Sequence, residues 1–415
     1  MAAPKLRFKA FDENWEKVKF SEKFNFHSTN SYSRALLSEN GEIMNIHYGD
    51  IHTKFSMLFN VTKEQVPFLS DEVDIQKISQ NQFLQVGDLV IADASEDYKD
   101  IGKTIEIVNL DNQKIVAGLH TYIARPNHPF ALGFSGYLMQ TFEVREQIKK
   151  LATGISVLGI SKTNLGKVEL RIPYLEEQTK IASFLSAVDE KINQLTQKHE
   201  LLSQYKQGMM QKLFSQQIRF KADNGSEFGE WEKVKLGSLL IKHDEKTEFN
   251  NQYPVLTSSR HGIYFQKDYF AGQDVASADT TGYNVVPYDY FTYRHMSDDL
   301  VFKFNINTIC PKGIVSTLYP VFTVKVEHLN KYFLQTILNE GQEFKNFAIM
   351  QKQGGSRTYM YFSKLSELFL TIPCLEEQIK IANFLSAIDE KIEVVAQQIE
   401  QAKQWKKGLL QQMFV

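Results

Sequence analysis

Two long segments of the chain carry a heptad pattern of apolar residues. Apolar side chains recur there at alternating spacings of four and three residues, which is typical of a coiled coil. A lysine occupies the same position of the pattern in both segments, Lys206 and Lys406, and a polar residue in such a seam can fix the register of paired helices. At 1.5 Å per residue, a helix over 176–214 would be about 58 Å long. The predicted seam comprises Ile181, Leu185, Val188, Ile192, Leu195 and Leu202 in the first segment and Ile381, Leu385, Ile388, Ile392, Val395 and Ile399 in the second.

The two helical segments belong to a tandem repeat. Residues 172–192 and 372–392 differ at only four of 21 positions, at a constant offset of 200. The sequence WEKVK at Trp15–Lys19 recurs at Trp231–Lys235, so each copy begins well upstream of its helix. The chain is therefore one unit used twice, a variable region followed by a nearly invariant helix. Because the second variable region separates the two helices, their simplest pairing is antiparallel, with a pseudo-twofold axis.

Both variable regions have mixed strand and helix patterns. The runs at Val86–Ala92 and Tyr319–Lys325 are rich in β-favouring residues, and 137–153 and 330–347 fit helices. The predicted fold class is therefore α+β, with two mixed α/β domains separated by two long antiparallel helices that form an intramolecular coiled coil. The predicted boundaries are 1–160 for the first variable domain, 161–215 for the first spacer helix, 216–371 for the second variable domain and 372–415 for the second spacer helix.

Acidic residues follow the proline that precedes each repeated helix. Glu176–Glu177 and Glu376–Glu377 fall in the first turn, where the helix dipole favours carboxylates and accounts for them fully. Acid–base catalysis is the alternative, but no histidine or nucleophile stands at a matching spacing. The glycine spacing at 154–159 lacks the lysine of a phosphate-binding loop, and the sequence has no dinucleotide fingerprint or zinc-ligand cluster. No catalytic residue, metal site or cofactor is therefore predicted.

A second face of the repeated helices also carries apolar side chains. Phe184 and Ala187, with Phe384 and Ala387 in the second copy, lie off the main seam. One interpretation is that they dock a partner subunit, once in each copy. The other is that they pack on the adjoining variable domains, and the sequence leaves both open.

Short polar runs in the variable regions carry groups that hydrogen-bond base edges or phosphates. Arginine bidentate to guanine and asparagine to adenine are common contacts in the major groove of DNA. Any solvated turn has a similar composition, so this alternative also stays open. The candidate DNA-binding residues from these runs are Asn30, Ser31, Tyr32, Ser33, Arg34, Ser258, Ser259, Arg260, His261, Tyr293 and Arg294.

Charge limits how the chain could hold DNA. Its 415 residues include 47 basic and 49 acidic side chains, which excludes an arginine-rich polycation. Residues 1–160 have a net charge of −3, and residues 216–371 have a net charge of zero. Because phosphate contacts supply most non-specific affinity, a partner is expected to contribute much of the positive charge.

The remaining composition indicates a cytoplasmic protein. Two cysteines, Cys310 and Cys374, cannot build a disulfide framework. No apolar run reaches the roughly 18 residues of a membrane span, and the start lacks the apolar core of a signal peptide. We expect no membrane association.

The repeated helix, with the consensus I-P-x-L-E-E-Q-x-K-I-A-x-F-L-S-A-x-D-E-K-I, resembles the conserved regions of specificity subunits of type I restriction–modification enzymes. The segment openings near Trp15–Lys19 and Trp231–Lys235, and the Gly-Asp turns at Gly49–Ile51 and Gly87–Leu89, are similar to that family as well. The resemblance covers essentially the whole chain. Its helix motif is quite specific to the family.

The resemblance implies a function without catalysis in this chain. Each variable domain would be a target-recognition domain that reads one half of a bipartite double-stranded DNA sequence, and the coiled coil would set the unread spacer. The conserved helices would dock two methyltransferase subunits, and restriction subunits with endonuclease and translocase activity would join them in the full complex. Methyl transfer and cleavage would then reside in the partners.

One stretch departs from the family pattern. Recognition domains of the family often carry a glycine- and arginine-bearing loop after the Gly-Asp turn, whereas residues 91–103 are acidic here. Lys99 and Lys103 remain as candidate DNA contacts in this stretch. Asp93 or Glu96 could instead accept a hydrogen bond from cytosine, although a solvated surface is the simpler interpretation.

Three rival functions are distinguishable by experiment. A regulatory or anti-restriction decoy would bind methyltransferase subunits without reading DNA, so DNA binding by the assembled complex separates it from a specificity subunit. A catalytic fusion would bind methyl donor or metal on its own. A plain coiled-coil scaffold would self-associate tightly and ignore DNA sequence.

Overall fold

The computed structural model describes residues 4–272, 276–352 and 356–414. The chain divides into two compact units, each with its own apolar core. The first unit comprises Met1–Lys198 with Val395–Val415, and the second comprises His199–Val394. Each unit therefore takes a part of both long helices.

The first repeat contains thirteen strands and six α-helices among the described residues. The strands are β1 (Glu16–Lys19), β2 (Phe24–His27), β3 (Leu37–Ser38), β4 (Met44–Ile46), β5 (Leu58–Asn60), β6 (Phe68–Leu69), β7 (Leu89–Ala92), β8 (Ala94–Ser95), β9 (Thr104–Asn109), β10 (Ile115–Ala117), β11 (Thr121–Pro126), β12 (Leu158–Gly159) and β13 (Glu169–Ile172). The helices are α1 (Phe20–Lys23), α2 (Tyr48–Thr53), α3 (Phe134–Met139), α4 (Phe142–Leu151), α5 (Lys162–Leu165) and the long α6 (Leu175–Phe214).

The second repeat continues with a similar series. Its strands are β14 (Glu232–Lys235), β15 (Leu240–His243), β16 (Leu256–Ser259), β17 (Gly262–Phe265), β18 (Asn284–Pro287), β19 (Phe291–Thr292), β20 (Met296–Ser297), β21 (Asn305–Ile306), β22 (Lys312–Val315), β23 (Val321–Val324), β24 (Thr358–Tyr359) and β25 (Phe369–Ile372). Its helices are α7 (Gln266–Tyr269), α8 (Lys331–Glu340), α9 (Gln342–Met350), α10 (Phe362–Leu365) and the long α11 (Leu375–Met413).

The central sheets of the two units share the order of four strands, and the first sheet has a fifth strand, β5, beside β9. The first runs β2-β11-β7-β9-β5, and the second runs β15-β23-β19-β21. In both, the second strand of the order is antiparallel to its two neighbours. A separate antiparallel pair, β1 with β13 and β14 with β25, joins the start of each repeat to the strand before its long helix. The variable regions thus share an architecture that their sequences do not reveal.

Each long helix is tied to the start of its own repeat by a buried ion pair. Arg7 donates through Nε and Nη2 to the two carboxylate oxygens of Glu177, both at 2.7 Å. Arg219 makes the same bidentate contact with Glu377, at 3.1 and 2.7 Å. Both glutamates are buried, whereas the preceding glutamate of each copy is exposed. The helix dipole alone therefore does not account for the repeated Glu-Glu pair, because its second member holds an arginine.

The next residue, a glutamine, joins each helix start to its variable region. Gln178 accepts a hydrogen bond from Ala131 N at 3.1 Å, and Gln378 accepts one from Asn330 N at 2.9 Å. Each glutamine also donates to the carbonyl of the proline five residues earlier, at 2.9 Å. Because both glutamines are buried, these bonds replace the hydrogen bonds to water that their side chains lose on folding. The repeated Leu-Glu-Glu-Gln sequence is thus a joint between helix and domain.

The long helices run antiparallel. In the first unit, the N-terminal half of α6 shares a core with the C-terminal end of α11. In the second unit, the C-terminal end of α6 shares a core with the N-terminal half of α11. Among the predicted seam residues, Ile181, Leu185, Val188, Leu195, Ile381, Leu385, Ile388, Val395 and Ile399 are buried, and Ile192, Leu202 and Ile392 are half-buried. These features confirm the predicted fold class.

A lysine of each long helix binds an aspartate of the other. In the second unit, Lys206 Nζ lies 2.8 Å from both Asp389 Oδ1 and Glu340 Oε1. In the first unit, Lys406 Nζ pairs with Asp189, which is the repeat counterpart of Asp389. Burial opposes the charge of Lys206, but its bonds to the two carboxylates outweigh that cost and raise the pKa of its ammonium. These reciprocal pairs fix the register of the antiparallel helices.

Within the described ranges, no helix is both long and apolar enough to cross a lipid bilayer.

Candidate nucleic-acid interface

An arginine of the first polar run is held at the start of helix α2. Arg34 Nη2 lies 3.1 Å from Asp50 Oδ1 and 3.2 Å from His47 Nδ1. His47 caps the helix, since its Nδ1 also accepts a hydrogen bond from Gly49 N at 3.1 Å. Asp50 is buried, whereas the Arg34 side chain is 53% exposed. The carboxylate therefore orients a guanidinium that remains open to a ligand.

Two features keep this arrangement intact. A Cβ at Gly49 would lie 3.1 Å from Arg34 Nη2 and 3.3 Å from His47 Nδ1, so glycine leaves the space that the guanidinium needs. Burial, followed by the charge of Arg34, lowers the pKa of His47. The imidazole is therefore neutral at pH 7 and its Nδ1 stays an acceptor.

The rest of this polar run divides between half-buried and exposed side chains. Asn30 is committed to the protein, because its Nδ2 donates to Asn45 Oδ1 at 2.8 Å and its Oδ1 accepts from Tyr32 N at 3.1 Å. Tyr32 packs partly against a small apolar cluster. Ser31 and Ser33 are exposed. Arg34 and the two serines are thus the members of the predicted set that are available to DNA.

The acidic stretch after β7 is largely tied to its surroundings. Lys103 Nζ donates to His52 O at 2.7 Å, so this lysine fastens the stretch to helix α2. Asp93 Oδ1 lies 3.2 Å from His120 Nδ1. Lys99 and Glu96 are exposed. Lys99 is therefore the cation of this stretch that is better placed to reach a phosphate.

In the second unit, strands β16 and β17 form a hairpin with Arg260 and His261 at its turn. The hairpin is anchored from below by buried Asn305, whose Nδ2 donates to Ser258 Oγ at 2.8 Å and to Ser259 O at 2.9 Å. Ser259 Oγ accepts from His261 N at 3.1 Å and so stiffens the turn. Ser258 is buried and fully engaged, which contradicts its predicted contact with DNA. Arg260 and His261 are exposed.

The structure also corrects the prediction for Tyr293. Its ring is completely buried and packs on Phe304 at a centroid distance of 4.4 Å. Its hydroxyl donates to Met360 O at 2.9 Å, and burial raises the pKa of the phenol. Tyr293 therefore belongs to the core and has no surface for DNA. The next residue, Arg294, is exposed because successive side chains of an extended segment point to opposite faces.

Three rings form a stack that begins at His295, the residue after Arg294 in the chain. Tyr361 stacks on His295 with centroids 4.8 Å apart, and Tyr359 stacks on Tyr361 at 5.7 Å. Buried Met360 holds the stack in place, since its N–H donates to His295 O at 2.7 Å. Tyr359 and Tyr361 are 41% and 50% exposed. Exposed aromatic faces and hydroxyls of this kind can contact bases, sugars or phosphates.

Two arginines of the second unit each bind an aspartate of the segment after β20. Arg260 Nη2 donates to Asp299 Oδ1 at 2.7 Å, and Arg357 Nε donates to Asp298 Oδ1 at 2.9 Å. Ser297 Oγ also donates to Asp299 Oδ1, at 2.9 Å. Because Met296 pairs with Tyr359 and Ser297 with Thr358, both aspartates directly follow the strand that lies beside Tyr359.

Sequence reasoning missed Arg357, Tyr359 and Tyr361. Their alternate spacing is a signal that was available, because residues two apart in an extended segment face the same side. It also missed His47, which helps to hold Arg34. Within the part of the chain that the structure describes, no group of three or more His, Cys, Asp or Glu side chains is arranged to hold a metal ion. The exposed arginines, serines and tyrosines described above offer hydrogen-bond donors and aromatic rings, which suit binding of DNA rather than of a metal ion.

The family model for the type I restriction modification DNA specificity domain matches the chain twice, over residues 12–203 and 229–404. The two matches cover most of both repeats. They span the two copies of the central sheet and most of each long helix, whereas Arg7 and Arg219 lie just before the matched ranges.

Two archaeal relatives from Methanocaldococcus jannaschii are similar over most of their length. The putative type I restriction enzyme MjaX specificity subunit is 26% identical over 362 residues, which are 79% of this chain and 77% of the relative. The type I restriction enzyme MjaVIII specificity subunit is 27% identical over 306 residues, which are 66% and 68% of the two chains.

Solved structures share the fold at low sequence identity. The type I restriction–modification S subunit from M. genitalium aligns with a TM-score of 0.59 at 14% identity, covering 100% of this chain and 99% of that one. A chain from a structure on complex assembly and conformational transition of the type I restriction–modification system aligns with a TM-score of 0.51 at 13% identity, covering 96% and 97%.

Proposed function

Because the chain belongs to the type I restriction–modification DNA specificity family, we propose that it reads a bipartite target, one half with each variable domain. In this proposal the recognition domains are residues 1–160 and 216–371, and the spacer helices are 161–215 and 372–415. The helices set the distance between the halves and dock two methyltransferase subunits. Restriction subunits join that complex, and all catalysis resides in the partners.

The two units share a common frame, which consists of the central sheet, the arginine–glutamate joint and the long helix, but they expose different surfaces. This observation carries the proposal. Both units have the same sheet order and the same arginine–glutamate joint. Their exposed polar groups differ in residue type and in origin, since one set surrounds helix α2 and the other surrounds the β16–β17 hairpin. One frame that presents two different surfaces is what reading two different half-sites requires.

The low net charge of the two variable domains supports a role for a partner in binding DNA. Residues 1–160 and 216–371 have net charges of −3 and zero, which gives each domain little non-specific affinity for phosphates. Several exposed cations are already paired with carboxylates, as in Arg260 with Asp299 and Arg357 with Asp298. A partner that encloses the DNA would supply the missing positive charge, and base contacts from this chain would supply the sequence preference.

The predicted docking residues differ in how far their own unit already covers them. Phe184 packs edge-to-face on Phe8 and Trp405, and Phe384 packs on Phe220, so both phenylalanines already have neighbours in their own unit. Ala187 and Ala387 are exposed. The exposed residues Glu190 and Lys191 beside Ala187 recur unchanged as Glu390 and Lys391. We therefore centre the two equivalent docking surfaces on Ala187, Glu190, Lys191 and their copies.

A methylation map of cells that co-express this chain with its neighbouring modification subunit tests the proposal. We expect methylation of one bipartite motif with a fixed spacer, and no methylation when either protein is omitted. If the complex assembled but methylated no motif, the chain would be a decoy rather than a specificity subunit. If no complex formed, the assignment of a methyltransferase partner would be wrong.

A further inference from the structure

We propose that Arg260 reads a guanine in the half-site of the second domain, and that Asp299 is the positioning residue that holds its guanidinium for this contact. The inference rests on the function proposed above and names the base that one of its recognition surfaces selects. It follows from the way in which the hairpin tip and the aspartate are both fixed before any DNA is bound.

The backbone that carries Arg260 is rigid on both sides of the turn. Ser259 pairs with Gly262 across the hairpin, so Arg260 and His261 alone form the turn. Gly262 has a φ of +131°, a conformation that side-chain-bearing residues rarely adopt. Asn305, only 4% exposed, donates to Ser259 O and ties the hairpin to the central sheet. The turn therefore presents Arg260 at a defined position.

Asp299 is fixed independently of Arg260. Its Oδ1 accepts a hydrogen bond from Ser297 Oγ at 2.9 Å and another from Val301 N at 3.2 Å. The hydrogen bond from Ser297, and then that from Arg260, lowers the pKa of this carboxyl group. The aspartate is thus a stationary anion, and the arginine is oriented by it.

The guanidinium keeps most of its donors. Over the described residues, its one hydrogen-bond acceptor is Asp299, and the side chain is 60% exposed. A guanidinium is a planar fork that matches O6 and N7 of guanine, which form the commonest specific arginine contact in the major groove. Holding a long side chain in place before binding removes part of the entropy cost of that contact.

Arg357 offers a contrast within the same unit. It binds Asp298 through a single Nε–Oδ1 hydrogen bond, and both side chains are more than half exposed. Over the described residues, no second hydrogen bond holds the side chain of Asp298. Without a fixed partner, Arg357 suits a phosphate, a contact that adds affinity without sequence preference. It is therefore the matched control for Arg260.

The experiment compares variants of the full chain in complex with the methyltransferase subunit, on DNA that varies one base pair at a time. Arg260→Ala and Arg260→Lys should relax the preference for guanine at one position by about 5- to 150-fold, because a lysine lacks the fork. Asp299→Asn should relax the same position to a smaller extent. Arg357→Ala should weaken binding evenly across all sequences.

Modified DNA supplies a second readout. Replacing the guanine with 7-deazaguanine removes its N7 acceptor, which should weaken binding by the wild type and leave Arg260→Ala unaffected. Circular dichroism and an unchanged preference in the other half-site verify that each variant is folded. If Arg260→Ala failed that check, Arg260→Lys and Asp299→Asn would decide the question.

Failure of this inference is separable from failure of the proposed function. A wild-type complex that methylates a bipartite motif, with an unaltered preference in every Arg260 variant, would overturn the role of Arg260 alone. A second half-site without guanine on either strand would do the same. A wild-type complex that methylates no bipartite motif would overturn the proposed function itself.

Discussion

The two units use one frame to present two unlike surfaces. In both, an arginine near the start of the repeat binds a buried glutamate of the long helix, and the central sheet has the same strand order. The first unit exposes Arg34 beside the start of helix α2, whereas the second exposes Arg260 on a hairpin tip and a pair of stacked tyrosines. In the variable domains the similarity thus lies in buried and paired residues, and the difference lies where DNA could reach.

The frame itself is not perfectly repeated. Trp15 is buried against Phe414, and its Nε1 finds no hydrogen-bond partner among the described residues. Its counterpart Trp231 is half-buried and donates from Nε1 to Glu377 at 3.2 Å. Glu377 therefore has an additional side-chain donor that Glu177 lacks. This small asymmetry makes the comparison between the units testable.

Loss of the helix seam should have the largest effect. Replacing Leu185, Ile192, Leu385 and Ile392 with glutamine removes apolar contacts from both units, at a cost of about 2–5 kcal/mol for each fully buried site. We expect the long helices to separate and assembly with the methyltransferase to be lost. Thermal unfolding by circular dichroism and size-exclusion chromatography measure this.

The matched control places glutamine at Leu201 and Val394, which are exposed on the same helices. That variant should unfold and assemble like the wild type. A seam variant that assembled and methylated normally would refute the coiled coil.

The arginine–glutamate joints should respond unequally. Arg7→Ala leaves the buried carboxylate of Glu177 without its bidentate partner, which typically costs about 3–5 kcal/mol. Arg219→Ala should cost less, because Trp231 still donates to Glu377. Urea unfolding of the two variants measures the difference. Equal losses would mean that the tryptophan hydrogen bond adds nothing to the joint.

Glu106 should make the stability of the first unit depend on pH. Glu106 is buried beneath helix α3 and accepts hydrogen bonds from Gly133 N at 2.7 Å and Gly136 N at 2.6 Å. Burial raises the pKa of Glu106 to about 7, against the weaker opposing effect of these bonds. In the second unit, helix α8 meets the sheet through the neutral amide of Asn339, which bonds Phe304 N and O.

The carboxyl group of Glu106 thus binds its proton more tightly in the folded chain than in the unfolded chain, where its pKa is near 4.5. The stability from this group is complete below about pH 4.5 and is lost as the pH rises through 7, by roughly 3 kcal/mol in all. Measured at pH 5 and pH 8, the free energy of unfolding of the wild type should fall relative to that of Glu106→Gln. Parallel changes in the two proteins would contradict this.

A surface lysine should give the smallest effect. Lys99 is exposed, whereas Lys103 is bound to His52 O. If Lys99 contacts a phosphate, Lys99→Ala should reduce the slope of log affinity against log salt by about 0.9 for the assembled complex, without altering sequence preference. An unchanged slope would remove Lys99 from the interface.

The heptad pattern predicted the long helices well, because the buried positions of each helix recur at regular spacing within one continuous segment. The heptad positions of both helices, at 181–202 and 381–399, are buried or half-buried, as the pattern indicates. The arginine–glutamate joints could not be predicted in this way, since Arg7 and Glu177 are 170 residues apart and no local pattern links them. The polar runs failed at Tyr293 and Ser258 because composition does not indicate which face of an extended segment is buried.

The central claim is that each domain reads its half of the target independently within a common frame. Replacing residues 236–360 with the equivalent region of another specificity subunit, followed by methylation mapping, tests this most directly. We predict a motif in which one half changes and the other half stays as in the wild type. Changes in both halves, or in neither, would contradict the account.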